Sequence, residues 1–196
     1  RMESLLQRYF SSEQIEDLLL PFFCYSSNLN SASGYVHRQG PLVSALRASI
    51  SLPGIFPPAI FNGNIHLDGS LLNNLPVDQM QESGAGRIIA VDLDFARDYN
   101  VAEGKLPSNR DLLFNNLLRR SKPHQVPTLL NMLAQSTTLA SDQRTRQFRH
   151  LADLYFNPDV SRYSLMDWKN FEEIAALGYQ HARTVLARTD LSAFIP

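Results

Sequence analysis

The sequence contains one cysteine, Cys24, among 196 residues. One thiol cannot form an internal disulfide or build a zinc site from cysteines. Because Cys24 lies in the apolar run Phe22–Tyr25, we interpret it as a small hydrophobic side chain and not as a nucleophile. The five histidines are scattered, and none has the spacing of a metalloprotease motif, so we expect neither a metal nor a cofactor.

Charge and long hydrophobic runs are also scarce. The net charge of −1 gives no electrostatic reason to expect a nucleic-acid partner. The basic run Arg144–His150 is diluted by Asp142 and Asp153, which favours a solvated helix face. The longest apolar run, Leu18–Tyr25, is broken by Pro21 and is shorter than the roughly 18 residues that span a bilayer. No leader-peptide pattern stands at the first residues, and any membrane contact is expected through segments outside this sequence.

A nucleophile elbow is missing as well, because Gly-x-Ser-x-Gly occurs nowhere in the sequence. Ser49 and Ser51 lack the glycine spacing of such an elbow, and we interpret them as helix-end residues that bond to the backbone. The sequence also begins at Arg1 instead of a methionine. We therefore expect residues 1–196 to be the C-terminal portion of a single, longer enzyme domain.

Helical and strand patterns alternate along the chain, and the 44% of hydrophobic residues is enough for a packed core. This alternation predicts an α/β layered domain. Ser12, with Glu13 and Glu16 after it, is expected to cap a short helix. Strands are predicted over Phe22–Ser27, Tyr35–Arg38, Ile65–Leu67, Arg87–Leu93 and Leu154–Phe156, and helices over Pro41–Ser49, Val77–Ser83, Pro127–His150 and Trp168–Leu186.

Asp68-Gly69 directly follows the predicted strand Ile65–Leu67. Enzymes with α/β folds often place reactive groups just past a strand end, which makes Asp68 a candidate catalytic carboxylate. A simple Asp-Gly turn is the alternative.

Other polar residues have competing interpretations. His66 shares a strand face with Asp68, and we interpret it as a structural or rim residue and not a general base. The pair Asn73-Asn74 either orients groups near Asp68 or, as we favour, satisfies local backbone groups. Asp92 and Asp94 end a strand, where they either bind a ligand or cap the next turn.

Several blocks of the sequence resemble the patatin-like phospholipases, in family order and with family-like gaps. They are Ala45–Pro58, Leu67–Ser70, Asn73–Val77 and Ile88–Asp92. Further features resemble the neuropathy-target-esterase-like branch of that family, namely Ile15–Leu18 before Pro21-Phe22, Met166-Asp167, Phe171-Glu172 and Gly178-Tyr179.

This resemblance implies a three-layer α/β/α patatin-like domain, incomplete at its N-terminal side, and a serine acyl hydrolase that uses a Ser–Asp dyad. The family's aspartate lies in Asp-Gly-Gly or Asp-Gly-Ala, and Asp68 takes that position, with Ser70 as the third residue. The family's serine elbow and glycine-rich oxyanion loop lie N-terminal to the matched blocks. The implied substrate is a lipid or lysophospholipid ester, and the implied setting is intracellular and membrane-associated.

Two functions follow for this chain. In the first, it is the aspartate-bearing portion of a lipid ester hydrolase and is inactive by itself, because it lacks the nucleophile. In the second, it is a non-catalytic module that keeps the family core and binds a partner. Removal of an upstream part by proteolysis is a third explanation for the missing serine.

Overall fold

A computed structural model describes residues 2–10, 12–93, 129–163, 168–192 and 194. Its contacts divide the chain into two units. The first unit comprises residues 1–90 and 138–154, and the second comprises residues 91–137 and 155–196. Predictions for Asp94, for a loop over 98–110, for a helix around Leu112–Leu118 and for Met166-Asp167 fall outside the described residues.

The first unit contains a four-stranded antiparallel sheet with the order β2-β1-β4-β3. Its strands are β1 (Cys24–Asn28), β2 (Ser33–His37), β3 (Ala59–Phe61) and β4 (Asn64–Asp68). The strands over Phe22–Ser27 and Tyr35–Arg38 are predicted to pair as a hairpin, and this is confirmed as β1–β2, in register from Cys24 opposite His37 to Asn28 opposite Ser33. β1 begins two residues later than predicted, because the ladder ends where Cys24 meets His37.

The hairpin formed by β3 and β4 was not predicted as such. After Pro57-Pro58 the sequence indicated only an extended path. Its two-residue turn consists of Asn62 and Gly63, with φ angles of +48° and +74°. Two successive positive φ angles are the mark of a type I′ turn, whose twist matches that of the strands it joins. Asn-Gly between apolar residues is itself a hairpin signal, so the sequence carried the information for this element.

Four helices among the described residues contribute to the first unit. They are α1 (Met2–Phe10), α2 (Leu42–Ser49), α3 (Val77–Glu82) and α4 (Leu129–Phe148), the last from residue 138 onward.

The predicted cap at Ser12 is wrong. Ser12 does not cap the short 3-10 turn Ile15–Asp17, because Gln14 occupies the cap position and makes no side-chain bond there. Glu16 instead accepts a hydrogen bond from the backbone N–H of Gly40 at 2.7 Å.

Helix α2 supplies the centre of the core. Ile15, Leu42 and Ala45 are buried together, and Cys24 packs against them. Burial raises the pKa of the Cys24 thiol to about 12, so the thiol stays protonated at neutral pH. Cys24 is therefore a packing residue, as the sequence indicated.

Strands β5 (Ile89–Val91) and β6 (Leu154–Phe156) form a separate pair. The N–H of Leu154 donates to the carbonyl of Ile88 at 3.2 Å, and the N–H of Asp92 donates to that of Phe156 at 2.8 Å. Residue numbers therefore increase in the same direction along both strands, so the pair is parallel. The nearly continuous apolar run Arg87–Leu93 predicts a central parallel strand covered on both faces. The strand exists over Ile89–Val91, but Ile89 and Val91 are each 58% exposed, so the described residues do not cover both faces.

The second unit contains helix α5 (Phe171–Leu186), preceded by a 3-10 turn over Trp168–Asn170. The helical period predicts one apolar face for this helix, and the prediction is partly right. The predicted face consists of Phe171, Ile174, Ala175, Gly178, Ala182 and Val185. Phe171 and Ala175 are exposed, and His181 with its neighbours forms the half-buried side instead. The half-buried positions recur every three to four residues: Ile174, Leu177, Gly178, His181, Ala182 and Val185. Helices and open sheets thus combine as predicted, and the α/β class is confirmed.

Candidate active site

Asp68 is the last residue of β4, a strand that lies between β1 and β3. It pairs with Ser26 of β1 in the antiparallel ladder, and it is half-buried. The carboxylate is thus neither sealed in the core nor part of a freely solvated loop. This position at a strand end is compatible with a reacting group that must meet a substrate.

Three hydrogen bonds hold Asp68 in place. Its backbone N–H donates to the carbonyl of Ser51 at 3.0 Å, and its own carbonyl accepts from Ser27 Oγ at 2.9 Å. Its carboxylate oxygen Oδ1 accepts from the N–H of Ser70 at 2.8 Å, which caps the 3-10 turn Gly69–Leu71. The second oxygen, Oδ2, accepts no hydrogen bond from any residue that the structure describes. One oxygen therefore anchors the side chain and the other remains available.

Gly69 is required by a close approach of two backbones. A Cβ atom built on Gly69 would lie 2.3 Å from the carbonyl oxygen of Tyr25, far inside contact distance. The Gly of the Asp-Gly pair thus lets β1 pass directly beside the turn that follows β4. Ser70, where the family has Gly or Ala, lies within the 3-10 turn and not among the described residues of positive φ, so its backbone is unstrained.

Beside Asp68 on the same face of the sheet lies a buried polar cluster that the sequence did not reveal. Ser26 Oγ is 2.7 Å from His37 Nε2 and 2.7 Å from His66 Nδ1. All three residues are at most 1% exposed. Because a hydroxyl carries one proton, Ser26 donates to one ring and accepts from the other. Phe61 and Tyr35 pack edge-on against the His37 ring, with centroids 4.6 and 4.7 Å away.

Burial lowers the pKa of both histidines in this cluster. The pKa of His37 falls to about 4, first through desolvation and second through the neighbouring His66. Desolvation also lowers the pKa of His66. Both rings are therefore neutral at pH 7, and His66 is a structural residue, in line with the sequence interpretation.

Acid is expected to destabilise the first unit through His37. Its pKa is about 4 when folded, against about 6.5 for an ordinary histidine, so the unfolded chain binds the proton first as the pH falls. Stability is therefore unaffected above about pH 6.5 and declines toward pH 4, by a loss on the order of 3 kcal/mol. Urea unfolding followed by circular dichroism at intervals from pH 7.5 to 4.5 measures this loss.

The matched variants for this measurement are His37→Gln and His150→Gln. Glutamine at position 37 cannot take up a proton, so the part of the pH dependence that His37 causes between pH 6.5 and 4.5 should disappear, while the part caused by His66 remains. His150 is exposed, and its replacement should leave the dependence unchanged. Equal slopes for wild type and His37→Gln would show that another group causes the acid loss.

Asn73-Asn74 anchors its loop to helices α3 and α4. Asn73 Nδ2 donates to Asp78 Oδ1 at 2.9 Å, and Arg144 donates to the other oxygen of the same carboxylate. The N–H of Asn74 donates to Ser141 Oγ at 2.7 Å. Burial raises the pKa of Asp78, but the hydrogen bonds from Asn73 and Arg144 outweigh it, so the net pKa is lowered. The structural interpretation of the Asn pair is therefore correct.

Arg144 corrects the prediction that its basic run is simply a solvated face. It is half-buried and ion-paired to Asp78, 66 residues away in sequence. Its neighbours Arg146 and Arg149 are exposed, as predicted. Sequence spacing could not indicate this pairing, because its partner lies on another helix.

The remaining candidates have structural contacts. Asp92 is buried in the second unit, where Tyr155 donates its hydroxyl to Oδ2 and Asn157 Nδ2 donates to the backbone carbonyl at 2.8 Å. Ser51 Oγ donates to the carbonyl of Arg47, which confirms its helix-end role. Within the described ranges, no three His, Cys, Asp or Glu residues are close enough to hold a metal ion.

A cleft of about 440 Å³ opens in the first unit, but Asp68 is not among its lining residues. Tyr25, Gly34 and Arg144 contribute to its wall. Tyr25 is adjacent in sequence to Ser26, so its side chain points to the opposite face of the sheet from the buried cluster. The cleft therefore does not define a substrate pocket for Asp68.

Across the parts of the chain with a described structure, no helix combines the length and hydrophobicity needed to cross a bilayer.

Residues 1–80 match the family model described as patatin-like phospholipase. Lysophospholipase NTE1 of Debaryomyces hansenii is 31% identical over 191 residues, which is 96% of this chain and 12% of the relative. Patatin-like phospholipase domain-containing protein 7 of Mus musculus is 34% identical over 191 residues, 93% of this chain and 14% of the relative. Lysophospholipase NTE1 of Candida albicans is 31% identical over 182 residues, 92% of this chain and 13% of the relative.

The described residues form an α/β fold, and the relatives that this chain resembles are named as lysophospholipases or as a patatin-like phospholipase domain-containing protein. The resemblance to the patatin-like phospholipases that the sequence predicted is confirmed, because that family's model matches residues 1–80 and the relatives align with 92–96% of this chain. It spans only 12–14% of the length of these relatives, so it corresponds to a small segment of each.

Proposed function

We propose that this chain carries the proton-accepting carboxylate, Asp68, of a serine acyl hydrolase that cleaves lysophospholipid or related lipid esters. The observation that carries this proposal is the state of the carboxylate. Oδ1 is anchored by the N–H of Ser70, while Oδ2 is left without a partner among the described residues at a half-buried strand end. The nucleophilic serine and the oxyanion donors are assigned to residues outside these 196.

In the proposed mechanism, the serine hydroxyl attacks the ester carbonyl and transfers its proton to Oδ2 of Asp68. Backbone N–H groups outside this sequence stabilise the tetrahedral oxyanion. Asp68 then gives the proton to the departing alcohol, and an acyl-enzyme remains. Water enters, loses a proton to Asp68 and releases the fatty acid, and the same proton restores the serine hydroxyl. Asp68 is thus base and acid in turn.

The substrate class is supported by the relatives, two of which are named lysophospholipases and a third a patatin-like phospholipase domain-containing protein. A lipid ester lies at a membrane or micelle surface. We propose that the intact hydrolase reaches this surface through segments other than the 196 residues described here.

The test compares the isolated chain with a longer protein that also contains the region N-terminal to it. Both are incubated with lysophosphatidylcholine, and free fatty acid release is measured together with labelling by a fluorophosphonate probe. We expect turnover and serine labelling for the longer protein and neither for the isolated chain.

Turnover by the isolated chain would contradict a dyad whose serine lies elsewhere. A folded longer protein that binds lysophosphatidylcholine micelles but releases no fatty acid would favour the non-catalytic binding module.

A further inference from the structure

The cluster of Ser26, His37 and His66 joins three neighbouring strands at one point. Ser26 belongs to β1, His37 to β2 and His66 to β4, and the serine oxygen contacts one ring on either side at 2.7 Å. The three side chains are at most 1% exposed, so they cannot meet a substrate. Any role in the reaction must be exerted through the strands that carry them.

Only one strand register lets Ser26 Oγ contact both histidine rings. Sliding β4 by one residue would replace His66 with Ile65 or Leu67, which face the other side of the sheet. Ser26 would then lose one of its two ring partners at a position that is fully buried, and an unpaired buried polar group is costly. Buried polar contacts of this kind specify one arrangement where apolar contacts would tolerate several.

Asp68 lies within this same register. It is two residues beyond His66 on β4 and directly opposite Ser26 on β1. Whatever fixes Ser26 against His66 therefore fixes the position from which the Asp68 carboxylate leaves the sheet. A displacement of about 1 Å at a reacting group can lower the rate about 10²-fold.

We propose that Ser26, His37 and His66 are positioning residues for Asp68, which they hold at the strand register needed for proton transfer. This inference rests on the proposed function of Asp68. It assigns to the buried cluster a role in the turnover number, beyond its contribution to the stability of the sheet.

The first test uses Ser26→Ala in the longer hydrolase, with Ser141→Ala as the matched control. Ser141 is equally buried in the same unit, and its hydroxyl oxygen also accepts a hydrogen bond, from the N–H of Asn74. We expect kcat on lysophosphatidylcholine to fall about 10–100-fold for Ser26→Ala, with KM within about twofold of wild type. For Ser141→Ala we expect kcat within about twofold of wild type, even if its thermal midpoint falls as much as that of Ser26→Ala.

The second test uses two substitutions of His66, so that it does not depend on the folding of Ser26→Ala. Asparagine places an amide close to the position of Nδ1 and can keep the hydrogen bond to Ser26, whereas leucine fills the space without it. We expect His66→Asn to retain kcat within about threefold of wild type and His66→Leu to lose about tenfold or more.

Equal kcat values for His66→Asn and His66→Leu, or a Ser26→Ala enzyme as active as Ser141→Ala, would overturn the positioning role. Those results would leave the proposed function intact so long as Asp68→Asn remains inactive. An active Asp68→Asn enzyme would instead remove the proposed function itself, so the two failures are separable.

Discussion

Replacing Asp68 by asparagine is expected to lower kcat for lysophospholipid hydrolysis by the longer protein about 10²–10⁴-fold, the contribution typical of a general base. An amide cannot accept the proton of the serine hydroxyl at neutral pH. The fold should survive, because asparagine keeps an Oδ1 atom that can accept the N–H of Ser70 and is as good a cap as aspartate. Steady-state kinetics and a thermal midpoint, measured on the same preparation, check both statements.

Asp17→Asn is the control for this substitution. Asp17 is an exposed aspartate in a 3-10 turn of the same unit, so its loss changes the net charge equally without touching the site. Its kcat should equal that of the wild type. Wild-type kcat in a folded Asp68→Asn protein would exclude Asp68 as the base.

Gly69→Ala should unfold or strongly destabilise the first unit. The added Cβ would lie 2.3 Å from the carbonyl oxygen of Tyr25 and 2.9 Å from its carbon. These are backbone atoms of β1, so no side-chain rotation relieves the clash, and β1 and β4 must separate where Ser26 pairs with Asp68. We expect a loss of about 3 kcal/mol, which for a chain of this size lowers the thermal midpoint by about 10 °C.

Gly86→Ala is the matched glycine control. Gly86 is exposed, has no positive φ, and a Cβ built on it would meet no atom within 4 Å. Alanine there should be neutral or stabilise the protein by about 0.5 kcal/mol, since it restricts the unfolded chain. If the two variants melt at the same temperature, the close approach at Gly69 is relieved without cost and our account of this glycine is wrong.

Local sequence signals predicted most elements near the site. The apolar run before Asp68 predicted β4, and the strand-forming residues on either side of the polar turn predicted the β1–β2 hairpin. Pro41 marked the start of α2. These features depend on residues within a few positions of each other. The Asn62-Gly63 turn was equally local, and the hairpin it forms was missed because only an extended path was expected after Pro57-Pro58.

The contacts around Asp68 could not be predicted in this way. Ser26 meets His37 and His66 from distances of 11 and 40 residues in sequence, and Ser27 reaches the carbonyl of Asp68 from 41 residues away. They depend on which strands are neighbours and in what register, and neither is encoded by periodicity. A histidine on an apolar strand face looks the same in sequence whether or not it has a buried partner.

The sheet order also has a consequence for how the chain folds. The β1–β2 and β3–β4 hairpins each join strands that are close in sequence, so they can form on a microsecond timescale. The pairing of β1 with β4 instead closes a loop of about 40 residues. The chain loses the entropy of closing this loop before the contacts between β1 and β4 can offset the loss. We therefore expect the local hairpins to form early, and Asp68 to reach its position opposite Ser26 only when the two hairpins dock.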